Sequence, residues 1–303
     1  MPIFQISNSK LSQIKEKDID LEKDIQMITE ENLETVFGLR FVKSEFALQK
    51  FRIDTLAFDK ETDAFVIIEY KRDRSFSVID QGYAYLALML NNKADFILEY
   101  NERTKGALRR EDVDWSQSRV LFLAQSFTTY QQNAINFRDL PIELWEVKAF
   151  DNATILYNQL LSPESKESIK TITKNKTIES VSREVKVYTL EDHFTVNDNI
   201  KNLFSALREK VLALGEDIEE WPKKKYIVYR ARQAFLYVHL QQSQIKLYVI
   251  IHKSKLNDPK EISRDVTKIG HFGGGNTELI FDKTEDLSYI MTLVEQSYRA
   301  SKQ

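Results

Sequence analysis

Cysteine is absent from this chain. That removes disulfides, thiolate metal sites and cysteine nucleophiles together, and it fits a reduced, cytoplasmic setting. Long apolar runs are missing as well, since none approaches the ~18 residues that a membrane span needs. The opening residues, Met-Pro-Ile-Phe-Gln, lack the basic-then-apolar layout of a signal peptide. The expected address is therefore the cytoplasm, with no membrane partner. Histidine is scarce: His193, His239, His252 and His271 all lie in the second half, and none is paired at metal-ligand spacing. No internal repeat is evident.

What is present suffices for a folded chain. Apolar residues make up 42% and charged residues 29% of the sequence, unlike a disordered segment. A length of 303 residues suits two domains, at roughly 150 residues each. The net charge of −3 mildly disfavours a nucleic-acid binder. Acids that hold metal lower that sum while serving a DNA enzyme, so local charge counts for more. Three basic clusters stand out: Lys71, Arg72 and Arg74; Arg103, Lys105, Arg109 and Arg110; and Lys223, Lys224 and Lys225. Such clusters are more often solvated surface than phosphate contacts.

Apolar periodicity organises the first half. Residues 17–37 read as a helix ended by Gly38. Residues 50–58 alternate as a strand, 61–63 suit a hairpin turn, and Phe65–Lys71 is a β-rich apolar run. Residues 77–91 read as a helix, and 94–98, 119–124 and 141–147 as strands. Together these predict an α/β unit, helices on a mixed sheet, over residues 1–160. The Ser/Thr/Lys/Glu-rich stretch 161–186 reads as an exposed linker. Residues 187–303 predict a smaller α+β domain. It has an amphipathic helix at 197–214, strands at 226–230, 235–240, 246–252 and 278–281, and a final helix capped by Thr284.

The chemistry concentrates between Arg52 and Tyr85. Residues two apart on a strand share a face, so Glu69 and Lys71 point the same way, with Phe65 and Ile67 continuing that face inward. Asp54 lies on the strand that the 61–63 turn would pair with this one, and can meet Glu69 at the same sheet end. These two carboxylates and the main-chain carbonyl of Tyr70 form a hard oxygen set for Mg2+ or Mn2+. Such a metal polarises a phosphate and acidifies a water molecule, and Lys71 can stabilise charge on phosphate oxygens. Gln81 and Tyr85 stand at i and i+4 on one helix face. On the first helix Glu22 lies at the rim of the apolar face and is the expected helix acid, with Glu31 the alternate. Glu-x-Lys alone on a strand is more often a surface ion pair. The order of helix acid, strand acid, Glu-x-Lys and Gln-x-x-x-Tyr adds specificity.

With those residues in that order, the segment from about 18 to 125 resembles a PD-(D/E)XK nuclease domain, closest to the RecB-like and archaeal NucS-type branch that carries the Gln-x-x-x-Tyr element. The resemblance implies a restriction-endonuclease-like core, Mg2+ or Mn2+ dependence and phosphodiester hydrolysis. It implies metal ligation by Asp54 and Glu69, a catalytic Lys71, a helix element of Gln81 and Tyr85, and Glu22 as the helix acid. Ile53 stands where the family's name has Pro. The tail from about 188 resembles a small uncharacterised domain fused to such nucleases. The expected function is that of a metal-dependent DNA endonuclease, with a homodimer plausible for two-strand cutting. The alternative is a non-catalytic module that binds nucleic acid or protein on the same fold.

Two features of the second half invite binding readings. Gly273-Gly274-Gly275 could form an anion-binding nest, although no Lys-Ser/Thr follows to make a P-loop and a hairpin turn explains the run as well. Trp221, Tyr226, Tyr229, Arg230 and Arg232 could flank a single strand, and core packing explains the aromatics equally.

Overall fold

Strand β6 (Ala64–Lys71) organises the first unit. Phe65, Val66, Ile67 and Ile68 are wholly buried, because β-branched and aromatic side chains on both faces suit a strand covered on both sides. The computed structural model describes residues 2–17, 22–71, 77–137, 139–160, 168–169 and 175–302, with the side chain of Glu22 outside that description. The chain divides into two units, Met1–Val187 and Tyr188–Gln303.

In the first unit β6 is central. β5 (Phe51–Asp59) pairs with it antiparallel, and β4 (Arg40–Leu48) pairs with β5 in the same sense. On the other side β7 (Arg119–Ala124) and β8 (Ile142–Phe150) follow in parallel. β9 (Ile155–Leu160) and the short β3 (Glu16–Lys17) both pair antiparallel with β8. β1 (Ile3–Ser7) and β2 (Lys10–Ile14) form a separate hairpin. The main sheet is therefore mixed, as expected. Helix α1 (Glu22–Glu31) and α2 (Leu33–Phe37) supply Ile25 and Leu33 to the face that holds Val66, Ile68 and Tyr70. Gly38 ends α2 in the left-handed conformation, φ +69°. On the opposite face α3 (Val78–Asn91) and α4 (Lys93–Thr104) pack Tyr83, Leu86, Met89 and Phe96 against Phe65 and Ile67. The fold is a sheet flanked by helices, the order α–β–β–β–α–β of a restriction-endonuclease-like core.

Two expectations are corrected here. Residues 94–98 are not a strand but part of α4, in which Phe96 and Tyr100 are buried at i and i+4. The stretch 161–186 is not simply an exposed linker. Beyond the short α5 (Thr129–Ala134), helix α6 (Lys176–Glu184) buries Ile178 and Val181 in the first unit's core, joined by Ile169 and Val185. Its residues 161–167 and 170–174 lie outside the described ones.

The second unit is an antiparallel sheet with helices on one face. The strands run in the order β10 (Glu219–Pro222), β11 (Ile227–Arg230), β12 (Ala234–Leu240), β13 (Ile245–Val249), β15 (Thr277–Phe281) and β14 (Arg264–Asp265). Helix α7 (Asp198–Leu212) is capped by Asn197, whose side chain accepts from Ile200 N–H. Its Leu203, Phe204 and Leu207 join Ile290 and Val294 of α8 (Leu287–Ser301) over Val238 and Leu247. A 3-10 turn at Thr284–Asp286 precedes α8, and Asp286, not Thr284, occupies its N-cap. Among the described residues no helix is long and apolar enough to cross a membrane.

Candidate functional site

The β5–β6 register places Thr55 opposite Ile68, so the next pair outward is Asp54 and Glu69. Beyond Thr55 the ladder gives way to a side-chain contact: Tyr70 N–H donates to Asp54 Oδ2 at 2.9 Å. A strand residue sends its N–H and C=O toward the same edge, so the Tyr70 carbonyl faces the Asp54 side too. Glu69 is 4% exposed, and its Oε1 accepts from Lys71 Nζ at 2.7 Å and from Tyr85 O–H at 2.9 Å. Gln81 Nε2 donates to the Tyr85 oxygen at 3.4 Å. The structure thus brings Asp54, Glu69, Tyr70, Lys71, Gln81 and Tyr85 together at one end of the sheet.

The local sequence explains how α3 reaches Glu69. Ser77 caps the helix and accepts from Asp80 N–H. Gly82, between Gln81 and Tyr85, lets the helix approach the sheet closely: a Cβ there would lie 2.5 Å from Ile142 Cδ1. Tyr85 is buried and Gln81 half-buried, so neither is a merely solvated helix residue.

The electrostatics are those of carboxylates drawn out of water. Burial, then the charge of Glu69, raises the Asp54 carboxyl to about 7, against the opposing pull of Tyr70 N–H and Lys71. Burial and the neighbouring Glu69 push the Tyr85 phenol upward, which keeps it a donor to that carboxylate. Both donors land on Glu69 Oε1. Glu69 Oε2 is buried without a hydrogen-bond partner, as is Gln81 Oε1. An orphaned buried carboxylate oxygen costs more than the ~1–3 kcal/mol of a neutral group, and a cation would relieve it. Among the described residues no three His, Asp or Glu side chains converge on one point. Mg2+ binds through one or two carboxylates and keeps several waters. Asp54, Glu69 Oε2 and the Tyr70 carbonyl are the oxygens that could hold it.

The first helix holds a residue that the sequence reading missed. Glu22 opens α1 and its side chain lies outside the description, while Glu31 is exposed. The acid that α1 brings to β5 is Glu30, whose Oε1 accepts from Thr55 Oγ1 at 2.5 Å and from Gln26 Nε2 at 3.0 Å. Gln26 Nε2 also donates to the Asp54 carbonyl at 3.0 Å and to Ser44 Oγ at 3.1 Å. The available signal was the i, i+4 spacing of Gln26 and Glu30, offset by one from the apolar Ile25.

Two residues of the second basic cluster are committed to ion pairs. Arg103 pairs with Glu99, and Arg109 with Glu111 and Asp112, while Arg72 and Arg74 lie outside the described residues. In the second unit His252 pairs with Asp265 at 3.2 Å. His239 is held below its ordinary range by burial and by Lys246. Tyr226 and Tyr229 are buried, at 5% and 0% exposure, and serve the core rather than a stacking surface.

Residues 190–301 match the family model described as a domain of unknown function, DUF5655. The solved structures that resemble the chain include an EndoMS–dsDNA2 complex, 17% identical, covering 45% of this chain and 51% of that one, with a TM-score of 0.27. A repair endonuclease from Pyrococcus abyssi is 15% identical over 39% of this chain and 44% of that one, at a TM-score of 0.23. SfsA of Pyrococcus furiosus with Ca2+ is 13% identical over 50% and 66%, at a TM-score of 0.24. The chain spans about half the length of the endonucleases. An uncharacterised protein of Haemophilus influenzae (strain ATCC 51907 / DSM 11121 / KW20 / Rd) is 44% identical over 301 residues, 99% of this chain and 100% of that one. The chain belongs to the family of that Haemophilus influenzae protein.

Proposed function

We propose that the first unit, with its nuclease-like fold, is a metal-dependent nuclease that hydrolyses DNA phosphodiester bonds. The observation that carries this reading is the split carboxylate of Glu69. One oxygen is saturated by Lys71 and Tyr85, and the other is buried, unpartnered and adjacent to Asp54. Glu278 in the second unit also keeps a buried oxygen without a hydrogen-bond partner, but it has Lys246 and Arg264 beside it, whereas Glu69 has the second carboxylate of Asp54 as its neighbour.

Asp54, Glu69 and the Tyr70 carbonyl would hold Mg2+ or Mn2+, which when bound supplies a polarised phosphate and an acidified water molecule. Tyr85, steadied by Gln81, fixes the Glu69 rotamer so that Oε2 remains available. Lys71 Nζ has three donors, one of which goes to Glu69. Its ammonium stabilises the charge that grows on the phosphate oxygens as the water oxygen bonds to phosphorus and the ester oxygen departs. Gln26 steadies the backbone of Asp54 from the opposite face.

The test is cleavage of labelled single-stranded, duplex, flapped and RNA substrates with Mg2+, Mn2+ or EDTA. Metal-dependent DNA cleavage is expected, reduced at least about a hundredfold in Lys71→Ala and in Glu69→Gln, in line with removal of one preorganised charged group. Equal products from wild type and both variants would refute the mechanism. Binding without cleavage on every substrate would establish the non-catalytic module instead.

A further inference from the structure

The turn between β10 and β11 carries three consecutive lysines and bridges two aromatic rings. Lys223 Nζ lies 5.0 Å from the centre of the Trp221 ring, and the Arg230 guanidinium lies 4.7 Å from the same ring. Lys225 Nζ lies 4.3 Å from the centre of the Phe272 ring. Phe272 is 42% exposed and Trp221 is half-buried.

Register explains the placement. Trp221, Val228, Tyr237, Tyr248, Glu278 and Arg264 follow one another across six strands. Tyr237, Tyr248 and Val228 pack together with Trp221, apart from the core under α7 and α8. This row therefore lies on the sheet face opposite the helices, where Val228, Tyr237, Tyr248 and Glu278 are buried and Trp221 and Arg264 stay accessible at its ends. The loop Gly273–Gly275 lies flat on it. Gly273 and Gly275 have φ of +77° and +109°, and a Cβ at Gly273 or Gly274 would come within 2.6 Å of the Tyr237 ring or hydroxyl. Because only glycine fits so close to the tyrosines, the loop projects Phe272 outward, edge-on to His239 at 5.3 Å. The glycine run thus serves as a close-fitting strap on the tyrosines.

The charge of the face is mixed in its interior and cationic at its rim. Glu278 is buried, with Lys246 and Arg264 each 3.6 Å away, and the exposed Glu219 stands across from Arg230. Lys224, Lys225 and Arg264 are exposed, and Lys223 and Arg230 half-buried.

We propose that this face binds single-stranded nucleic acid. Bases stack on Trp221 and Phe272, and Lys223, Lys224, Lys225 and Arg230 neutralise the adjoining phosphates. A duplex hides its base faces in the stack, so two flat rings flanked by cations select the unpaired strand. The inference deepens the nuclease reading and rests on it only in naming the substrate as a strand with an unpaired segment.

The test is fluorescence anisotropy of the full-length protein in EDTA with a labelled oligothymidylate of about twenty nucleotides. Because no metal is present, binding is read independently of cleavage, and the two readings fail separately. Single-strand binding tighter than that of a duplex of equal length is expected. Trp221→Ala and Phe272→Ala should each weaken it by at least about fivefold. Lys225→Ala should lower the slope of log affinity on log salt by about 0.7. Lys260→Ala removes a cation 4.4 Å from the Tyr289 ring on α8 and should change nothing. Phe272 is exposed, so its loss of binding would not reflect unfolding. Wild-type affinity in both aromatic variants overturns the proposal, as does no binding at all. Displacement by polyglutamate as efficient as by unlabelled oligothymidylate would overturn it in favour of an acidic-peptide surface.

Discussion

The two sheets treat charge in opposite ways. In the first unit the central strand is buried on both faces, and its charged residues, Glu69 and Lys71, stand at its end under a helix. In the second unit helices cover one face, and on the other Tyr237 and Tyr248 are buried beneath the Gly273–Gly275 loop, with the partly exposed rings and cations at the β10–β11 turn and at Phe272. A sheet covered on both faces forces polar chemistry to the strand termini, because side chains along the strand meet apolar helices on both sides. In the antiparallel sheet of the second unit, cations and partly exposed rings gather instead at a turn and a loop beside the face opposite the helices. The first geometry suits a small ion and a single phosphate, and the second suits an extended polymer.

That contrast can be broken first by cutting into each core. Ile67 and Leu236 are both wholly buried, one in each unit. Ile67→Ala and Leu236→Ala should each cost about 2–5 kcal/mol. In calorimetry each should lower a different transition, and a single transition moved equally by both would erase the division into two units. A smaller effect should come from Gly82→Ala, which forces a methyl toward Ile142. The cost is about 1–3 kcal/mol, and the displacement of Tyr85 from Glu69 should slow cleavage more than it weakens DNA binding. Wild-type cleavage in that variant would show that the close approach of α3 does not position the site.

A pH-dependent effect concerns Asp54. Its carboxyl is raised from 3.8 to about 7 in the folded protein. The folded state therefore holds a proton that the unfolded state releases, and between about pH 4 and 7 metal-free stability falls as pH rises. Asp54→Asn removes that penalty and should raise the melting temperature in EDTA at pH 8, while leaving it little changed at pH 4. Metal affinity of the wild type should increase with pH up to about 7, since the ligand is the ionised form. A flat pH dependence of metal binding would show that Asp54 is not a ligand. The substitution has no counterpart in the second unit, where the buried Glu278 has Lys246 and Arg264 beside it.

Much of this was readable in advance. β7 spans the residues that its apolar run marks, and α3 and α7 follow their periodicity to within two residues. The convergence of Asp54 on Glu69 followed from a hairpin turn and a two-residue side-chain period. The failures have physical causes. Residues 94–98 are a short apolar run that a strand or a buried helix segment can equally produce. Residues 176–185 are polar in composition, yet Ile178, Val181 and Val185 recur at three and four residues and are buried, so an amphipathic stripe was concealed by its neighbours.

The sequence by itself determined the buried central strand and the pairing of an acid on β5 with Glu-x-Lys on β6, because alternation and turn chemistry are local properties. Only the tertiary structure decided that Glu30 and Gln26 are the polar groups α1 brings to β5, and that Glu69 keeps one buried oxygen without a hydrogen-bond partner. It also decided that three glycines lie flat on tyrosines contributed by three other strands or turns. Those outcomes depend on distances between segments far apart in the chain. They are set by packing, and no spacing within one segment encodes them.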